Sequence, residues 1–331
     1  MTAINKHQRL FKPKHVQELL NLNFPPQRWL VEGLMPLGGI TLLSGAPESY
    51  KTWVMLDVAV SVADGKPLFG KFPTTHTKVL IIDEESGERI LQERLIALRA
   101  SLTTPIYTES MKGAIFTAEY VNELTDWCIE QGVGLIIADS LSRIHKGDES
   151  TAKDMSALFS LVRQLTTAGI SVVILHHNRK SSPGFSYSAN DIRGSSDILA
   201  SVDSAVALST NRTGHVNVMQ VKNRIASKER PFTIELLEDE EFRYFNCTAI
   251  GKSKDDEISE RKDAIIELIS ASPEINQTAI YHYFANERTD FGGERAIKVA
   301  LDELTKDGKL ISSRGDKNAL RFSINPSSVV L

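Results

Sequence analysis

The feature that most constrains the fold of this chain is an alternation, over residues 38–210, of short β-branched runs with amphipathic helical windows. Four of the runs are apolar, short and followed by a turn, which is typical of buried strands. They are 39–43 (GITLL), 79–83 (VLIID), 135–138 (LIIA) and 170–175 (ISVVIL). Repeated strand–helix–strand units imply a parallel sheet with helices on both faces. The sequence therefore predicts an α/β fold with a mostly parallel sheet.

The first of these strands leads directly into the segment SGAPESYKTW at residues 44–53. A phosphate-binding loop has Gly, four residues, then Gly-Lys-Ser/Thr; its amides surround the phosphates, its lysine contacts the β/γ oxygens and its hydroxyl holds Mg²⁺. Gly45, Lys51 and Thr52 fit, whereas Tyr50 stands where the second glycine is expected. The relaxed pattern is weak alone, but a strand before it and a helix after it supply the required context. The predicted nucleotide contacts are Gly45, Ala46, Pro47, Glu48, Ser49, Tyr50, Lys51 and Thr52.

Polar residues also follow the other predicted strands. Glu84 and Glu85 follow the second, Asp139 ends the third, and a histidine pair at 176–177 follows the fourth. Ligands of open α/β sheets gather beyond the carboxyl ends of the strands. Nucleotide hydrolysis needs these groups, with Thr52 and Asp139 around Mg²⁺ and a carboxylate to orient water. Singly, each residue has a plain structural explanation, such as a helix cap or a satisfied histidine. Their joint order predicts a site for ATP and Mg²⁺.

This ordered set resembles a known family. Residues 24–224 are similar to the RecA-type motor fold, and within it to the hexameric replicative helicases, especially the small plasmid RepA-like helicase group. The resemblance rests on FPPQRWLVEGLMPLGGITLLSG, the acids after VLIID, LIIADSLSRIHKGDES, and VVILHHNRK followed by DIRGSSDI. Loops of this group tolerate loss of the last glycine, so the resemblance implies that Tyr50 is compatible with nucleotide binding.

The resemblance implies roles for individual residues. Lys51 contacts the phosphates, and Glu85 aligns as the carboxylate that orients the attacking water, with Glu84 as the second candidate. Asp139 matches the aspartate on the Mg²⁺ side. His177 falls where the group keeps a polar residue that senses the γ-phosphate and couples to a DNA-binding loop.

Three later cations resemble groups that hexameric helicases supply to the site of the neighbouring subunit. Arg193 lies in an Arg-Gly-Ser-Ser segment, and Lys222 and Arg224 lie in the run 221–224. Apart from Lys51, the strand-end motifs show no cation, yet phosphoryl transfer gains about 10³ to 10⁵ from an arginine finger. We therefore expect a homo-oligomeric ring, with a hexamer as the favoured size. The alternative is that the three cations are ordinary surface charges.

Two segments beside the strand ends have features that suit single-stranded DNA. Arg143 and Lys146 follow Asp139, and the Ser/Gly/Pro-rich stretch 178–190 carries cations for the backbone with aromatic rings for stacking. The residues of the second segment are Arg179, Lys180, Phe185 and Tyr187. The alternative for that stretch is a surface loop whose aromatic residues pack locally.

Strands without helices follow residue 203, and they predict an antiparallel extension of the same sheet. They are 205–209, 216–221, 232–237 and 243–247. The predicted organisation is an N-terminal arm at 1–37 and a RecA-like core at 38–250. Within the arm, we expect Phe24 to Met35 to pack on the core or on a neighbouring subunit.

The last part of the chain has a different pattern. The polar stretch 251–260 is typical of a linker, and 261–325 is predicted to form a winged helix. Its helices are predicted at 264–271, 277–284 and 294–306, followed by a hairpin over 309–324. Candidate duplex-DNA contacts are Arg295, Lys298, Lys309, Arg314 and Lys317, with Arg321 on the same wing. Because this segment is not basic as a whole, docking of a replication protein remains the alternative to duplex binding.

Composition limits the classes of function. The net charge is −4, so any nucleic-acid surface has to be local. The two cysteines are far apart and have no Cys or His companions at metal spacing, which argues against a disulfide framework or a zinc site. The polar, basic start MTAINKHQRLFKPK is unlike a signal peptide, and no apolar segment is long enough to span a bilayer. We expect a cytoplasmic protein without membrane contact.

These inferences favour an ATP-dependent, ring-forming nucleic-acid motor that translocates on single-stranded DNA, namely a replicative helicase of a plasmid, phage or mobile element. Two alternatives stay open. One is a RecA/RadA-like recombination or repair ATPase, which would form filaments. The other is an ATP-switched replication initiator or regulator that binds DNA through its winged helix.

Overall fold

The computed structural model describes residues 13–178, 196–210, 214–239, 242–250, 254–288, 291, 293–315 and 319–328. The elements up to residue 210 are α1 (Val16–Leu20), β1 (Trp29–Val31), β2 (Met35–Pro36), β3 (Ile40–Gly45), α2 (Lys51–Asp64), β4 (Lys78–Asp83), α3 (Glu88–Ala97), β5 (Ile106–Ser110), α4 (Ala118–Gln131), β6 (Val133–Asp139), α5 (Ala152–Thr167), β7 (Ser171–His177), α6 (Ser196–Ser201) and β8 (Ser204–Thr210). The later elements are β9 (Val216–Asn223), β10 (Phe232–Glu238), β11 (Arg243–Ile250), α7 (Lys254–Ala271), β12 (Ile275–Asn276), α8 (Gln277–Asn286), α9 (Glu294–Lys306), β13 (Leu310–Arg314) and β14 (Leu320–Ile324).

The dominant feature is a nine-stranded sheet in the order β11-β10-β9-β8-β3-β7-β6-β4-β5. Strand β3 pairs in parallel with β7 and β8, and β4, β5, β6 and β7 continue the parallel pairing. This arrangement confirms the predicted α/β fold with a mostly parallel sheet flanked by helices. The predicted strands are all present, each within a few residues of its expected bounds.

One strand differs from the prediction in its direction. The run 205–209 was assigned to the antiparallel extension, but β8 lies parallel to β3. The short helix α6 precedes β8 and brings the chain back to the starting edge of the sheet, which a parallel strand requires. Six residues of helix are too few to give a recognisable period. Farther along, β10 pairs antiparallel with β9.

The parallel strands bring their carboxyl ends to one edge of the sheet. Strand β3 is buried along its whole length, and α2, which follows it, is buried on nearly all sides. Burial of β4, β6 and β7 is almost as complete. Because buried apolar strands hold their register, the loops at their carboxyl ends have fixed positions relative to each other.

By compactness, the chain divides into two units. The first holds residues up to 209 with 220–228 and 236–245, and the second holds 210–219, 229–235 and 246–331. The proposed domain boundaries remain predictions. Among the described residues, every helix is too short or too polar to cross a membrane.

The C-terminal helices and strands have their own hydrophobic core. Ile265, Ile280, Leu301, Leu310 and Phe322 are among its buried members. The helices α8 and α9 match their predicted positions, and β13 pairs with β14 in the predicted hairpin. Strand β12, which was not predicted, adds to β14 as a third strand.

The stretch predicted as a linker is largely helical. Helix α7 begins at Lys254, ten residues before the predicted start at 264, so most of 251–260 belongs to the helix. The physical reason is composition: Lys, Asp and Glu are typical of polar linkers but are also compatible with helix.

Candidate functional site

The strand-to-helix connection after β3 has the backbone geometry of a tight turn. Strand β3 ends at Gly45 and α2 begins at Lys51, with Tyr50 in the N-cap position. Tyr50 has φ 63° and ψ 16°, and Glu48 has φ 62°, so both lie in the left-handed region. That region favours glycine, which explains why the common motif has glycine where this chain has Tyr50.

The aromatic ring of Tyr50 has a packing role that offsets this backbone conformation. It meets the buried Phe245 edge to face, with ring centres 6.4 Å apart. Phe245 in turn contacts Phe69 at 6.1 Å, again edge to face. Such contacts contribute about 0.5 to 1.5 kcal/mol beyond area burial, which is comparable to the cost of one left-handed residue.

Lys51 and Thr52 point into the loop and toward the end of β6. The Lys51 ammonium donates to the carbonyl of Ala46 at 2.6 Å, inside the turn. Burial lowers the pKa of Lys51, and the charges of Asp139 and Glu85 oppose that shift. The Thr52 hydroxyl donates to Asp139 Oδ2 at 3.3 Å. The structure therefore brings the two predicted Mg²⁺ ligands into contact.

Asp139 is buried among other acids. Burial raises its pKa to about 7, with further contributions from the charges of Glu85 and Asp83. A divalent cation stabilises such a carboxyl in its ionised form, because the cation offsets both the lost hydration and the like charges.

Glu85 lies at the centre of a hydrogen-bonded cluster. Its Oε1 accepts a hydrogen bond from the Ser140 hydroxyl at 2.5 Å and lies 3.4 Å from His177 Nε2 and 3.9 Å from Arg143 Nε. The hydrogen bond with His177, then that with Ser140 and the charges of His177 and Arg143, lower the pKa of Glu85 to about 2 against the effect of burial. Glu85 is thus a carboxylate at neutral pH.

The turn that presents Glu85 is built by Asp83, a residue that we did not single out from the sequence. Asp83 Oδ1 accepts from the amides of Glu85 and Ser86, and Oδ2 accepts from the Gly87 amide and the Ser110 hydroxyl. An Asp at a strand end followed by Ser-Gly is a signal for such a turn, because a short carboxylate can bond its own backbone.

Glu84, the second candidate for the water-orienting group, points away from this cluster. Its carboxylate accepts hydrogen bonds from the amides of Lys112, Gly113 and Ala114, at 2.9 to 3.1 Å. Residues 84–86 form a bend after β4 ends at Asp83. The chain therefore sends Glu85 toward Asp139 and Glu84 toward the loop after β5.

The loop and the strand ends surround a cleft of about 590 Å³, here called the P-loop cleft. Its lining comprises residues 47–53 with Glu85, Arg94, Asp139 and His177. Arg94, on α3, was missed because it sits in an ordinary amphipathic helix far from any motif. Its guanidinium lies over the Trp53 ring, 5.5 Å from the ring centre, and Arg243 lies 5.2 Å from the same centre. Arg94 therefore adds a cation to the cleft that does not come from a strand-end motif.

Lys222 and Arg224 make contacts within the chain. The Lys222 ammonium donates to the carbonyls of Leu199 and Ala200, at the end of α6. Arg224 donates to the Ala200 carbonyl at 2.6 Å and to Asp203 at 3.4 Å. Carbonyls at a helix C-terminus attract cations, so these residues stabilise α6 locally.

The remaining predicted DNA-binding and inter-subunit residues are either exposed or outside the described part of the chain. Lys146 is exposed in the turn after β6, and Arg295, Lys298, Lys309 and Arg314 are exposed in the C-terminal unit. Several predicted residues lie outside the described part of the chain, namely Arg179, Lys180, Phe185, Tyr187, Arg193 and Lys317.

The P-loop fits a nucleoside triphosphate with Mg²⁺. A Cβ on Gly45 would lie 2.3 Å from Ser49 Oγ and 2.9 Å from the Leu208 carbonyl, so only glycine suits this position. Ser49 Oγ is buried and lacks a hydrogen-bond partner among the described residues. Those residues contain no cluster of three His, Cys, Asp or Glu side chains that could hold a metal by itself. Thr52 and Asp139 suit Mg²⁺, which usually takes one or two protein groups together with phosphates.

The parallel sheet, the glycine-initiated loop and the Thr52–Asp139 pair define a P-loop nucleoside triphosphatase. A family model described as AAA domain (AAA_25) matches residues 7–183, which is more than half of the chain. The chain belongs to this AAA domain family. No curated protein matches it.

Proposed function

We propose that this P-loop ATPase is a ring-forming motor that translocates on single-stranded DNA, as a replicative helicase does. The observation that carries the proposal is the Glu85 cluster. One oxygen of Glu85 contacts Ser140 and His177 and lies near Arg143. Arg143 begins one segment predicted to bind DNA, Ser140 lies three residues before it, and His177 directly precedes the other segment. A change at the reacting phosphate can therefore move both segments.

In the proposed mechanism, Lys51 and the backbone N–H groups of residues 45–52 hold the phosphates of ATP, except at Pro47, which has no N–H. Mg²⁺, when bound at Thr52 and Asp139, neutralises charge on the phosphate oxygens. Glu85 accepts a hydrogen bond from the attacking water and orients it. Its low pKa suits this positioning role better than full proton abstraction, and the loose transition state of phosphoryl transfer requires mainly positioning.

The direct test is strand displacement on forked duplexes with 5′ or 3′ single-stranded tails. The full-length protein with ATP and Mg²⁺ should separate one of the two forks, and Lys51→Ala should separate neither. Absence of displacement on both forks, with ATP hydrolysis intact, would contradict the proposed motor but not the assignment of ATP hydrolysis. Displacement by Lys51→Ala would contradict the mechanism.

The proposed ring rests on cations supplied between subunits. Arg193, Lys222 and Arg224 are the candidates, and the in-chain contacts of Lys222 and Arg224 would have to be exchanged for phosphate contacts on assembly. The test is a mixing experiment, in which inactive Lys51→Ala chains are added to active chains. Total ATP hydrolysis should fall by more than the dilution of active chains predicts, because an inactive subunit in a mixed ring also impairs the sites of its active neighbours.

An ATP-switched initiator or regulator is the second candidate, because Arg94 supplies a cation from the same chain. A site complete within one chain needs no ring for hydrolysis. Hydrolysis per chain that is constant on dilution, and indifferent to single-stranded DNA, would favour this switch over the motor.

The C-terminal unit is proposed to be a winged helix that binds duplex DNA. Three helices followed by a hairpin support this assignment, as do the exposed Arg295 and Lys298 on α9. Arg295→Glu with Lys298→Glu should abolish retention of duplex DNA in a gel-shift assay of the full chain. Unchanged duplex binding would favour protein docking at this surface.

A further inference from the structure

A second cleft lies at the edge of the sheet, between β5 and α4. It has a volume of about 500 Å³, and its walls include Tyr107, Tyr120 and Trp127 together with Glu109 and Glu123. None of these residues contributes to the P-loop cleft. Tyr107 and Trp127 meet edge to face with ring centres 5.1 Å apart, so the aromatic wall has a defined shape.

The two carboxylates of this aromatic cleft have no cationic partner among the described residues. Glu109 accepts a hydrogen bond from the Tyr120 hydroxyl at 2.8 Å, through Oε2 alone. Within the part of the chain that the structure describes, neither Glu109 nor Glu123 forms an ion pair. Half-buried aromatic rings beside carboxylates without an ion pair attract a cation in two ways, through the ring quadrupoles and through the negative charge of the carboxylates. The same charges repel nucleic acid.

The cleft opens beside a strand edge. In the described structure β5 is the last strand of the sheet and pairs with β4 alone. The Pro105 carbonyl and the Met111 amide bond toward β4. By the alternation of a strand, the amide and carbonyl of Thr108 point to the free side, where an extended chain can pair with them.

The opposite face of β5 carries an apolar groove. Leu95, Ile96, Leu102 and Ile106 line it, and Ile96 and Leu102 are exposed. A strand added to β5 would send alternate side chains to the two faces. One face is then suited to a cation and the other to apolar side chains.

From these relationships we infer that the β5 edge binds an extended segment of a partner protein, whose arginine or lysine side chain enters the aromatic cleft while its neighbours contact the apolar groove. Charge complementarity identifies this occupant, because both unpaired carboxylates face the cleft. The inference goes beyond the proposed motor and does not depend on it.

The test measures binding of the full-length protein to a fluorescein-labelled peptide, acetyl-TVRVT-amide with the dye on a terminal glycine spacer. The matched control peptide replaces arginine by citrulline, which has the same shape and no charge. The arginine peptide should bind at least about tenfold more tightly, because a charge-assisted hydrogen bond is stronger than a neutral one. Equal binding of the two peptides, or no binding of either, would overturn the inference.

Protein variants locate the binding. Glu123→Gln and Glu109→Gln should each reduce the preference for arginine over citrulline, and Glu119→Gln, an exposed position of the same helix outside the cleft, should not. Unfolding midpoints and binding of a fluorescent ATP analogue should stay at parent values and serve as the check on folding. An unchanged arginine preference in the double Glu109/Glu123 variant would overturn the cation site. Failure of the motor would leave this peptide binding untouched.

Discussion

The guanidinium carbon of Arg94 lies 5.5 Å from the centre of the Trp53 ring. Trp53 is the residue directly after the P-loop threonine, Thr52. A cation over an indole face is attracted by the ring quadrupole, most strongly with tryptophan. Trp53 therefore holds Arg94 at the wall of the P-loop cleft. An arginine from the same chain therefore lines the P-loop cleft in addition to Lys51.

Removing this arginine should slow hydrolysis. Arg94→Ala is expected to lower kcat for ATP by at least about tenfold, because a cation at the phosphates stabilises charge in the transition state. Arg89→Ala, an exposed position of the same helix, is the matched control and should keep the parent rate. Steady-state ATPase assays decide. Equal rates for Arg94→Ala and the parent would mean that Arg94 does not act on the phosphates.

Substitutions of Tyr50 should separate the backbone effect from the ring contact. Tyr50→Gly and Tyr50→Ala both lose the contact with Phe245, but only glycine adopts the left-handed conformation without strain. The free energy of unfolding of Tyr50→Gly should exceed that of Tyr50→Ala by about 1 kcal/mol. Urea denaturation measures the difference. Equal stabilities would contradict the left-handed backbone at this position.

The two adjacent glutamates should respond differently. Glu85→Gln should keep binding of a fluorescent ATP analogue and lose most of the hydrolysis rate, since a neutral amide orients water poorly. Loss of analogue binding in Glu85→Gln, or retention of full hydrolysis, would count against the assigned role.

Glu84→Gln is expected to act mainly on stability. It replaces a carboxylate that accepts from three amides, and hydrogen bonds to a charged acceptor are stronger than those to a neutral amide. The unfolding midpoint in urea should fall, while kcat per folded molecule stays near the parent value. A normal midpoint with abolished hydrolysis would reverse the assignment of the two glutamates.

A buried acid in α2 should make stability depend on pH. Burial raises the pKa of Asp57 from 3.8 to about 7, and its Oδ2 has no hydrogen-bond partner in the described structure. Between these two pKa values the folded chain keeps a proton that the unfolded chain releases. The free energy of unfolding therefore falls as the pH rises from 3.8 to about 7, by a few kcal/mol at most, and levels off above.

Asp57→Asn removes this proton and is the matched variant. Its free energy of unfolding should decline less steeply than that of the parent over the same pH range, since other acids such as Asp139 contribute equally to both proteins. Urea denaturation at several pH values gives the two slopes. Parallel slopes would show that Asp57 titrates normally.

Much of the parallel core could be predicted because its signals are local. Strands β3, β4, β6 and β7 are short apolar runs, and burial on both faces makes such runs recognisable without any partner. The strand–loop–helix order placed Gly45, Lys51 and Thr52, and the position of Asp139 at a strand end placed it beside Thr52. These inferences need only the rule that parallel strands end at one edge.

Other features depended on contacts between distant segments. The direction of β8 depended on a six-residue helix without a readable period. Which of Glu84 and Glu85 faces the cleft depended on the turn that Asp83 builds and on the amides of residues 112–114. Lys222 and Arg224 were recognisable as cations, but their contacts with the end of α6 were not.

The sequence by itself determined that this chain is a parallel α/β protein with a P-loop, because the apolar runs of the strands and the residue types of the loop can be recognised in consecutive residues. The tertiary structure alone decided which side chains share the cleft. Arg94 reaches Trp53 from a different helix, and Tyr50 keeps a strained backbone against Phe245, which lies nearly two hundred residues later. Such pairs meet only when the sheet has ordered its strands, so no local pattern can encode them.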